Sequence, residues 1–402
     1  MVAVTQASKN ITSAFSEWAT RPAEQRFKTL DDMRTACRLR TEQSVEIGPV
    51  NLQDMEAIPA LGGVAIANSE GGALLNNHTF NQLSASIGAP AGYLRTLDND
   101  LAAQCLNAGL EKYPERERNL LVIQGTEQGQ DYLSARAITS PQYSRYHDHQ
   151  VVTDLADTLS LDGWQVPPCR PYPGCPESDT WIATEADCLP GNTFALSIRP
   201  GDKVGPGGLY SSDKDSFVFL VNQHQVIKTP GGEMFRAVIV QNSEVGAASF
   251  KIDCFLYSAV CGNHILWGAE EVASVRIVHR GQDNNARINA QAAMHAAIRS
   301  AELSSAGNTE HAIAIAAETP LTSAEVAQRT GLSKTIVKAG EIMQTEYPQD
   351  HGDRAGSAWG WVQGLTRASQ HSSYAADRVQ VDQAAAKILQ PFKERAGQYV
   401  TA

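Results

Sequence analysis

Two polar clusters flank the most apolar segments in the middle of the chain. SerSerAspLysAsp at 211–215 precedes one apolar run, and AsnSerGlu at 242–244 follows the next. If these runs are neighbouring strands, Asp213, Asp215 and Glu244 gather at one rim of a sheet, where carboxylates can bind a divalent metal ion for phosphoryl transfer. Asp, Asn and Ser side chains also bond readily to local backbone in turns. The sequence leaves both interpretations open.

Two histidines in the following segments add nitrogen ligands. His264 ends CysGlyAsnHis at 261–264, and His279 lies in ArgIleValHisArgGly at 276–281. With a carboxylate such as Asp213, the two imidazoles have the composition of a two-His-one-carboxylate metal site. A buried structural role is the more common one for such histidines. A metal-dependent hydrolase or nuclease would take its catalytic set from Asp213, Asp215, Glu244 and His264.

The best-marked catalytic motifs are absent from the sequence. It contains neither of the glycine-rich phosphate loops, GxxxxGK[ST] and GxGxxG, and it lacks GxSxG and HExxH. The seven cysteines are spread over the chain without a CxxC pair, so we expect free thiols and no structural zinc site. Apart from the divalent metal considered above, no cofactor is predicted.

Basic groups near the polar clusters suggest a nucleic acid as ligand. The chain has a net charge of −11, which argues against a protein coated with basic residues for duplex binding. A local groove for single-stranded DNA remains compatible with that charge, provided that aromatic side chains supply stacking platforms. The predicted groove residues are Arg136, Arg145, Arg276, His279, Arg280 and Arg287. The available aromatic residues are Tyr143, Tyr146, Tyr210, Phe217, Tyr257 and Trp267.

A second type of DNA contact is suggested by residues 321–339, which resemble a helix-turn-helix. Ala327, Gly331 and Val337 fall where such a motif needs a small residue, a glycine and a core apolar residue. The recognition helix would begin at Ser333 and present Lys334, Thr335 and Lys338. A plain helical hairpin has the same pattern, so this interpretation also stays open.

The elements that must position these residues predict an α+β fold. Strand-like runs occupy 193–198, 216–221, 235–240, 250–257 and 274–279, and a hairpin is predicted from 119–124 and 132–138. Most connections are too short for crossover helices, so the twisted sheet should be largely antiparallel with flanking helices. The predicted units are an N-terminal helical cap with short strands (1–77), helices plus a hairpin (78–163), a β-rich core (164–282) and a C-terminal helical subdomain (283–402).

No targeting or membrane segment is visible in the sequence. The first residues lack a basic region followed by an apolar one, and no run of about 18 apolar residues occurs. We therefore expect a cytoplasmic protein of a bacterial host without membrane contact.

Several segments together resemble a known family, the phage- and plasmid-borne domain of unknown function 932. The resemblance spans roughly 78–390, and the motifs between 207 and 281 are specific. It departs from the family pattern at Lys214, where a His is expected, at Ser216, where a Met is expected, and at Gln363, where an Asn is usual. The segments that carry it are ArgAlaIleThrSerProGlnTyrSerArgTyrHisAsp (136–148), GlyLeuTyrSerSerAspLysAspSerPheValPhe (208–219), AsnSerGluValGlyAlaAlaSerPhe (242–250), PheLeuTyrSerAlaValCysGlyAsnHisIleLeuTrpGly (255–268) and TrpGlyTrpValGlnGlyLeuThrArgAlaSerGlnHis (359–371).

The resemblance implies a mobile-element context but supplies no catalytic residues. We expect a non-enzymatic, homo-oligomeric protein of a phage or plasmid that binds or anneals single-stranded DNA in recombination or replication. The first alternative is the metal-dependent hydrolase or nuclease described above. The second is a protein-interaction or counter-defence module, which would bind a host protein through its β edges and C-terminal helices.

Overall fold

A computed structural model describes most of the chain from residue 25 onward. The described residues are 25–60, 62–68, 71–112, 117–127, 130–159, 163–166, 171, 177–184, 199–205, 208–258, 264–266, 274–279, 285–303, 306–369 and 375–398. They form an α+β protein, as the sequence predicts, with two large sheets, flanking helices and a helical C-terminal region. The described cysteines, Cys37, Cys105 and Cys254, are free thiols.

The first sheet is built from the N-terminal part of the chain. Its strands are β1 (Ser44–Asn51), β2 (Glu56–Ala60), β3 (Gly63–Asn68), β4 (Gly71–Leu75), β5 (Glu117–Glu127) and β6 (Gln130–Thr139). They lie in the order β1-β5-β6-β4-β3-β2, antiparallel except for the parallel pair β4–β6. The predicted hairpin is confirmed as β5–β6. Strands from both sides of the predicted boundary at residue 77 share this one sheet.

The second sheet is antiparallel and contains the longest hairpin among the described residues, β11–β12. The remaining strands are β7 (Trp164–Gln165), β8 (Trp181–Ile182), β9 (Lys203–Val204), β10 (Leu209–Ser211), β11 (Ser216–Thr229), β12 (Gly232–Asn242), β13 (Phe250–Ser258), β14 (His264–Leu266) and β15 (Ser274–Ile277). The order is β10-β11-β12-β13-β14, with β15 also on β13 and β7 on β11, while β8 and β9 pair separately. The predicted strand at 193–198 lies outside the described residues.

The helices lie before, between and after the strands given above. They are α1 (Leu30–Glu42), α2 (Asn77–Ser86), α3 (Ala91–Leu94), α4 (Asn99–Lys112), α5 (Asp148–Thr158), α6 (Asn285–Leu303), α7 (Ala306–Glu318), α8 (Ser323–Thr330), α9 (Lys334–Glu346), α10 (Ala358–Ser369) and α11 (Ala375–Gln398). Pro90 directly precedes α3. Among the described residues, no helix combines the length and the apolar character needed to cross a bilayer.

One face of the second sheet is covered by helices along the length of its strands. Alternate side chains of a strand point to the same side, so Val240 and Ile252 both pack against Met294 of α6. Further along, Met234 belongs to a second cluster, which contains Trp359 of α10. Thus α1, α5 and α6 cover one end of this face, and the C-terminal helices cover the other.

The opposite face of the same sheet is apolar in its middle and polar at one end. Phe219, Phe235 and Phe255 form a buried cluster there, together with Ala386 of α11. Toward the first residue of β11 the cluster ends at Phe217, which is only half-buried. In register with Phe217, this end of the face carries the polar residues Gln241 and Lys251.

The C-terminal helices pack closely where glycines meet. A Cβ atom at Gly364 of α10 would overlap the backbone carbonyl oxygen of Gly340 on α9 and would crowd Gln344. The clash with Gly340 cannot be relieved by rotating a side chain away, because the atom it meets belongs to the backbone. The spacing of α9 and α10 therefore requires glycine at this position.

We expect Gly364→Ala to lower the free energy of unfolding by at least about 1–3 kcal/mol, the usual range for overpacking. Gly92→Ala is the matched control, because Gly92 also lies in a helix and a Cβ there would meet nothing within 4 Å. The control should be neutral or stabilising by up to about 1 kcal/mol. Urea denaturation followed by tryptophan fluorescence measures both, and equal effects would contradict the packing argument.

Candidate functional site

A buried ion pair joins the two large sheets. Arg136 on β6 donates from Nη2 to Oε1 of Glu244, which lies in the turn after β12, at 2.6 Å. The two side chains are only 3% and 4% exposed. Arg145 donates to the backbone carbonyl oxygen of Glu244. These bonds fix the turn after β12 against the first sheet.

Asp148 extends this network at the first residue of α5. Its backbone N–H donates to Oε2 of Glu244 at 3.1 Å. Its own Oδ1 accepts hydrogen bonds from Ser216 Oγ at 2.7 Å and from Asn242 Nδ2 at 2.8 Å, and its Oδ2 accepts one from Ser211 Oγ at 3.3 Å. The two polar clusters of the sequence therefore do meet, but in the interior and around the N-terminus of a helix.

The two buried carboxylates have opposite pKa shifts. Burial alone would raise the pKa of Glu244, but the hydrogen bond from His147 and the charge of Arg136 outweigh it and hold this pKa well below its usual range. Burial, and then the negative charge of Glu244, raise the pKa of Asp148 to about 6. Glu244 is thus the ionised partner of Arg136, and Asp148 is the carboxylate that takes up a proton first on acidification.

The predicted metal-dependent catalytic set does not come together in the described residues. Asp213 is exposed. The carboxylate of Asp215 accepts a hydrogen bond from Ser212 Oγ at 2.6 Å, and the backbone N–H of Asp215 donates to that Ser212 Oγ. These bonds match the turn interpretation of 211–215. Glu244 is occupied by Arg136, and the side chain of His264 is outside the described part. Within that part, no group of three or more His, Cys, Asp or Glu residues is arranged to hold a metal ion.

Most of the predicted groove cations are also used inside the protein. Arg136 and Arg145 are buried, and Arg287 lies 3.5 Å from the carboxylate of Asp154. This corrects the expectation for Arg136 and Arg145, since a buried guanidinium bonded to Glu244 is not available to a phosphate. Arg280 lies outside the described residues. Arg276 is exposed and belongs to a separate arrangement of side chains on the second sheet.

That arrangement is a row of five directly opposed residues across the second sheet, which we call the cross-sheet row. In register, Tyr210 of β10 faces Phe217, Phe217 faces Gln241 of β12, Gln241 faces Lys251 of β13, and Lys251 faces Arg276 of β15. Directly opposed residues project from the same face, and adjacent strands are about 4.8 Å apart. The row therefore spans roughly 19 Å along the polar end of that face.

The aromatic end of the cross-sheet row is a stacked pair. The rings of Tyr210 and Phe217 lie 5.3 Å apart between centroids and 12° from parallel. Phe217 is half-buried, so part of its ring surface remains accessible. Of the other aromatic residues considered as platforms, Tyr146 is buried and donates to Asp154, while the side chain of Tyr257 and the whole of Trp267 lie outside the described part.

The other end of the row carries two cations. Lys251 is 21% exposed and pairs with Asp253, and Arg276 is exposed with its Nε donating to Ser249 Oγ at 2.6 Å. Like charges directly opposed across a sheet repel each other, and one carboxylate compensates only one of these two. This end of the row is therefore suited to an anion. Gln241 and Lys251 were not predicted, because no sequence pattern states which residues face each other.

A pocket of about 540 Å³ adjoins this cationic end, and we call it the edge pocket. Residues from three segments line it, 140–143, 246–249 and 276–279. Tyr143 and His279 form one part of the lining, with ring centroids 5.2 Å apart. Arg276 belongs to both the row and the pocket. The turn 246–249 comes directly after Glu244 and Val245, so the buried ion pair also positions the pocket.

The predicted helix-turn-helix segment consists of two helices, α8 and α9. Thr322 and Glu325 form a capping box at α8, and Gly331 ends that helix with a left-handed φ of 71°. Ser333 caps α9 by accepting the Ile336 N–H. The side chains of Lys334, Thr335 and Lys338 are exposed. DNA recognition by this segment stays a prediction.

We expect Glu244→Gln to lower the free energy of unfolding by about 3–5 kcal/mol at neutral pH, because it leaves the buried Arg136 charge uncompensated. Glu42→Gln is the matched control, since Glu42 forms an ion pair with Arg38 in which both side chains are more than half exposed. An exposed pair contributes only about 0–1 kcal/mol. Chemical denaturation separates the two, and a loss at Glu244 as small as that at Glu42 would contradict the role of the buried pair.

The raised pKa of Asp148 has a consequence for stability. A carboxyl that binds its proton more tightly in the folded state than in the unfolded state makes folding less favourable as pH rises through that interval. The contribution of Asp148 should therefore fall between pH of about 4, near its unfolded pKa, and the folded value of about 6. Glu244 acts in the opposite direction. Its lowered pKa stabilises the folded state at neutral pH, and this contribution is lost only as the pH falls below about 4.5.

Asp148→Asn removes the first effect and leaves Glu244 in place. The difference in unfolding free energy, wild type minus Asp148→Asn, should decrease from pH of about 4 to about 6 and stay constant above about 7. Denaturation midpoints measured at half-unit pH steps test this. A difference that does not change with pH over this range would show that Asp148 titrates normally.

Comparison with known proteins identifies one family. A family model described as Domain of unknown function (DUF932) matches residues 207–389, which run from just before β10 into α11. A search of curated proteins and a search of solved structures each returned no significant match. The matched span contains the whole cross-sheet row, whereas Tyr143 of the edge pocket lies before it. Residues 207–389 of this chain, slightly less than half of its length, are therefore similar to the family of unknown function DUF932.

Proposed function

We propose that the chain binds single-stranded DNA across the cross-sheet row. The observation that supports this is the order of side chains on one face: the stacked pair Tyr210 and Phe217, then Gln241, then Lys251 and Arg276. Unpaired bases stack on aromatic rings, and phosphates pair with nearby cations, largely irrespective of sequence. The row offers both kinds of contact within the span of a few nucleotides.

Single strands suit this row better than duplex DNA. Stacking on Phe217 requires a base whose face is not already covered by its neighbours, which a duplex does not provide. Non-specific duplex binding relies on many phosphate contacts, and the row supplies two cations in a chain with a net charge of −11. The ligand is therefore a strand with exposed bases.

The biological setting is part of the same proposal. A role in recombination or replication of a phage or plasmid, in the bacterial cytoplasm and as a homo-oligomer, rests on the resemblance to the phage- and plasmid-borne family alone. The chemistry of the row is independent of that setting, so binding can be tested without it.

Two substitutions test the two ends of the row with a fluorescent oligonucleotide. Phe217→Leu should weaken binding at least about fivefold, because base–aromatic stacking contributes about 1–3 kcal/mol. Arg276→Gln should reduce the slope of log K against log salt by about 0.7, the value for one phosphate contact on a single strand. Anisotropy titrations at several salt concentrations measure both quantities.

Arg38→Gln is the matched control, because Arg38 is an exposed arginine on α1, which packs on the opposite face of the second sheet. It should leave both the affinity and the salt slope unchanged. No binding by the wild-type protein at low salt, or an Arg276→Gln slope equal to that of the control, would overturn the proposal. Thermal melting of each variant checks that it is folded.

A further inference from the structure

The edge pocket continues the cross-sheet row beyond its last strand. Arg276 is the final residue of the row and also lines the pocket. The volume of about 540 Å³ is within the range of about 300–1,000 Å³ found for small-molecule sites. A strand on the row therefore meets a cavity of ligand size at its cationic end.

Two aromatic rings in the pocket lining are held in fixed positions. Tyr143 donates from its hydroxyl to the Ser243 carbonyl oxygen at 2.8 Å, and the Arg145 guanidinium lies 5.3 Å from its ring centroid. His279 is bonded through Nδ1 to the Ser144 carbonyl oxygen at 3.2 Å, so Nδ1 carries the proton. A planar ligand ring would meet a rigid aromatic surface rather than one that must first be ordered.

His279 also leaves one polar atom without a partner. Its Nε2 is buried and makes no hydrogen bond within the described residues. Since Nδ1 holds the proton, and burial lowers the pKa of this imidazole, Nε2 is a free acceptor at neutral pH. A buried acceptor left unpaired is unfavourable.

Small residues and the cation Arg276 complete the lining. Gly246, Ala247 and Ala248 present almost no side chain, so a flat ring can approach their backbone closely. The Nε of Arg276 is held by Ser249, and its terminal amino groups make no hydrogen bond to a described residue. A guanidinium with two free donors is the preferred partner of a phosphate.

We propose that the edge pocket binds one nucleotide of the strand held on the cross-sheet row, with its phosphate at Arg276 and its base against Tyr143 and His279. This rests on the proposed function and adds a second contact, in a concave site, to the open stacking at Phe217. A lone inorganic anion would leave the aromatic surface unused, and a purely apolar ligand would leave Arg276 unpaired.

Ala248→Trp tests the pocket by filling it, because Ala248 is exposed, lines the cavity and is not part of the row. Ala108→Trp is the matched control, since Ala108 is an exposed alanine on α4. The first probe is deoxyadenosine monophosphate, measured by calorimetry or ligand-observed NMR. Deoxyadenosine monophosphate should bind to the wild type and to the control, and at least about tenfold more weakly to Ala248→Trp. The wild type should bind it more tightly than it binds deoxyadenosine.

The second probe is an oligonucleotide with 2-aminopurine at successive positions. One position should show a distinct emission change with the wild type and the control that is lost with Ala248→Trp, while the affinity for the whole strand falls less than about tenfold. Equal binding of the mononucleotide to Ala248→Trp and the control, or no such position, would overturn the pocket proposal.

The two proposals fail in different ways. If the oligonucleotide binds and responds to Phe217→Leu but not to Ala248→Trp, the row stands and the pocket proposal is overturned. If the mononucleotide binds in an Ala248-dependent manner but no oligonucleotide binds, the proposed function is overturned, together with the assignment of the pocket to a strand. The same Ala248→Trp protein thus separates a strand from a free nucleotide as the source of the ligand.

Discussion

The ion pair between Arg136 and Glu244 is the contact on which the arrangement of the two sheets depends. Taking both charges out of water is costly, and a pair of well-packed apolar residues would often stabilise a fold as much or more. What the pair adds is a specific geometry, because Glu244 satisfies Arg136, His147 and the Asp148 N–H only when β6, α5 and the turn after β12 are all in place.

The same turn transmits that geometry to the surface. Val245 packs on Leu121 and Ala137 of the first sheet, and its carbonyl oxygen is bonded to His78 and Gln82. Four residues later, Ser249 holds the guanidinium of Arg276. An interior ion pair and an exposed cation are therefore connected by one short segment, so a single polar motif is structural at its start and contributes to the surface at its end.

The strands and helices were predictable from sequence, because their signals are local. The site was not predictable, because it depends on which residues pair across the sheets. Alternation and turn residues located β5, β6 and most of the second sheet, and apolar spacing located the helices. Arg136 was misplaced because its partner Glu244 is 108 residues away in the chain. The neighbours Ala135 and Ala137 were a usable signal, since an arginine between small residues in an apolar strand is a candidate for burial. The register that sets Lys251 opposite Arg276 has no such signal.

Burial of Arg136 and Arg145 also removes two cations from the surface that could otherwise contact phosphate. Among the described residues, Arg136, Arg145 and Arg236 are buried, and the cross-sheet row offers two cations, Lys251 and Arg276, for contact with phosphate. If only Lys251 and Arg276 neutralise phosphates, the salt slope for a single strand is limited to about −1.4. Most of the affinity must then come from stacking, which salt affects little. An acidic protein of this kind would hold exposed bases while making little use of duplex DNA, whose bases are already stacked.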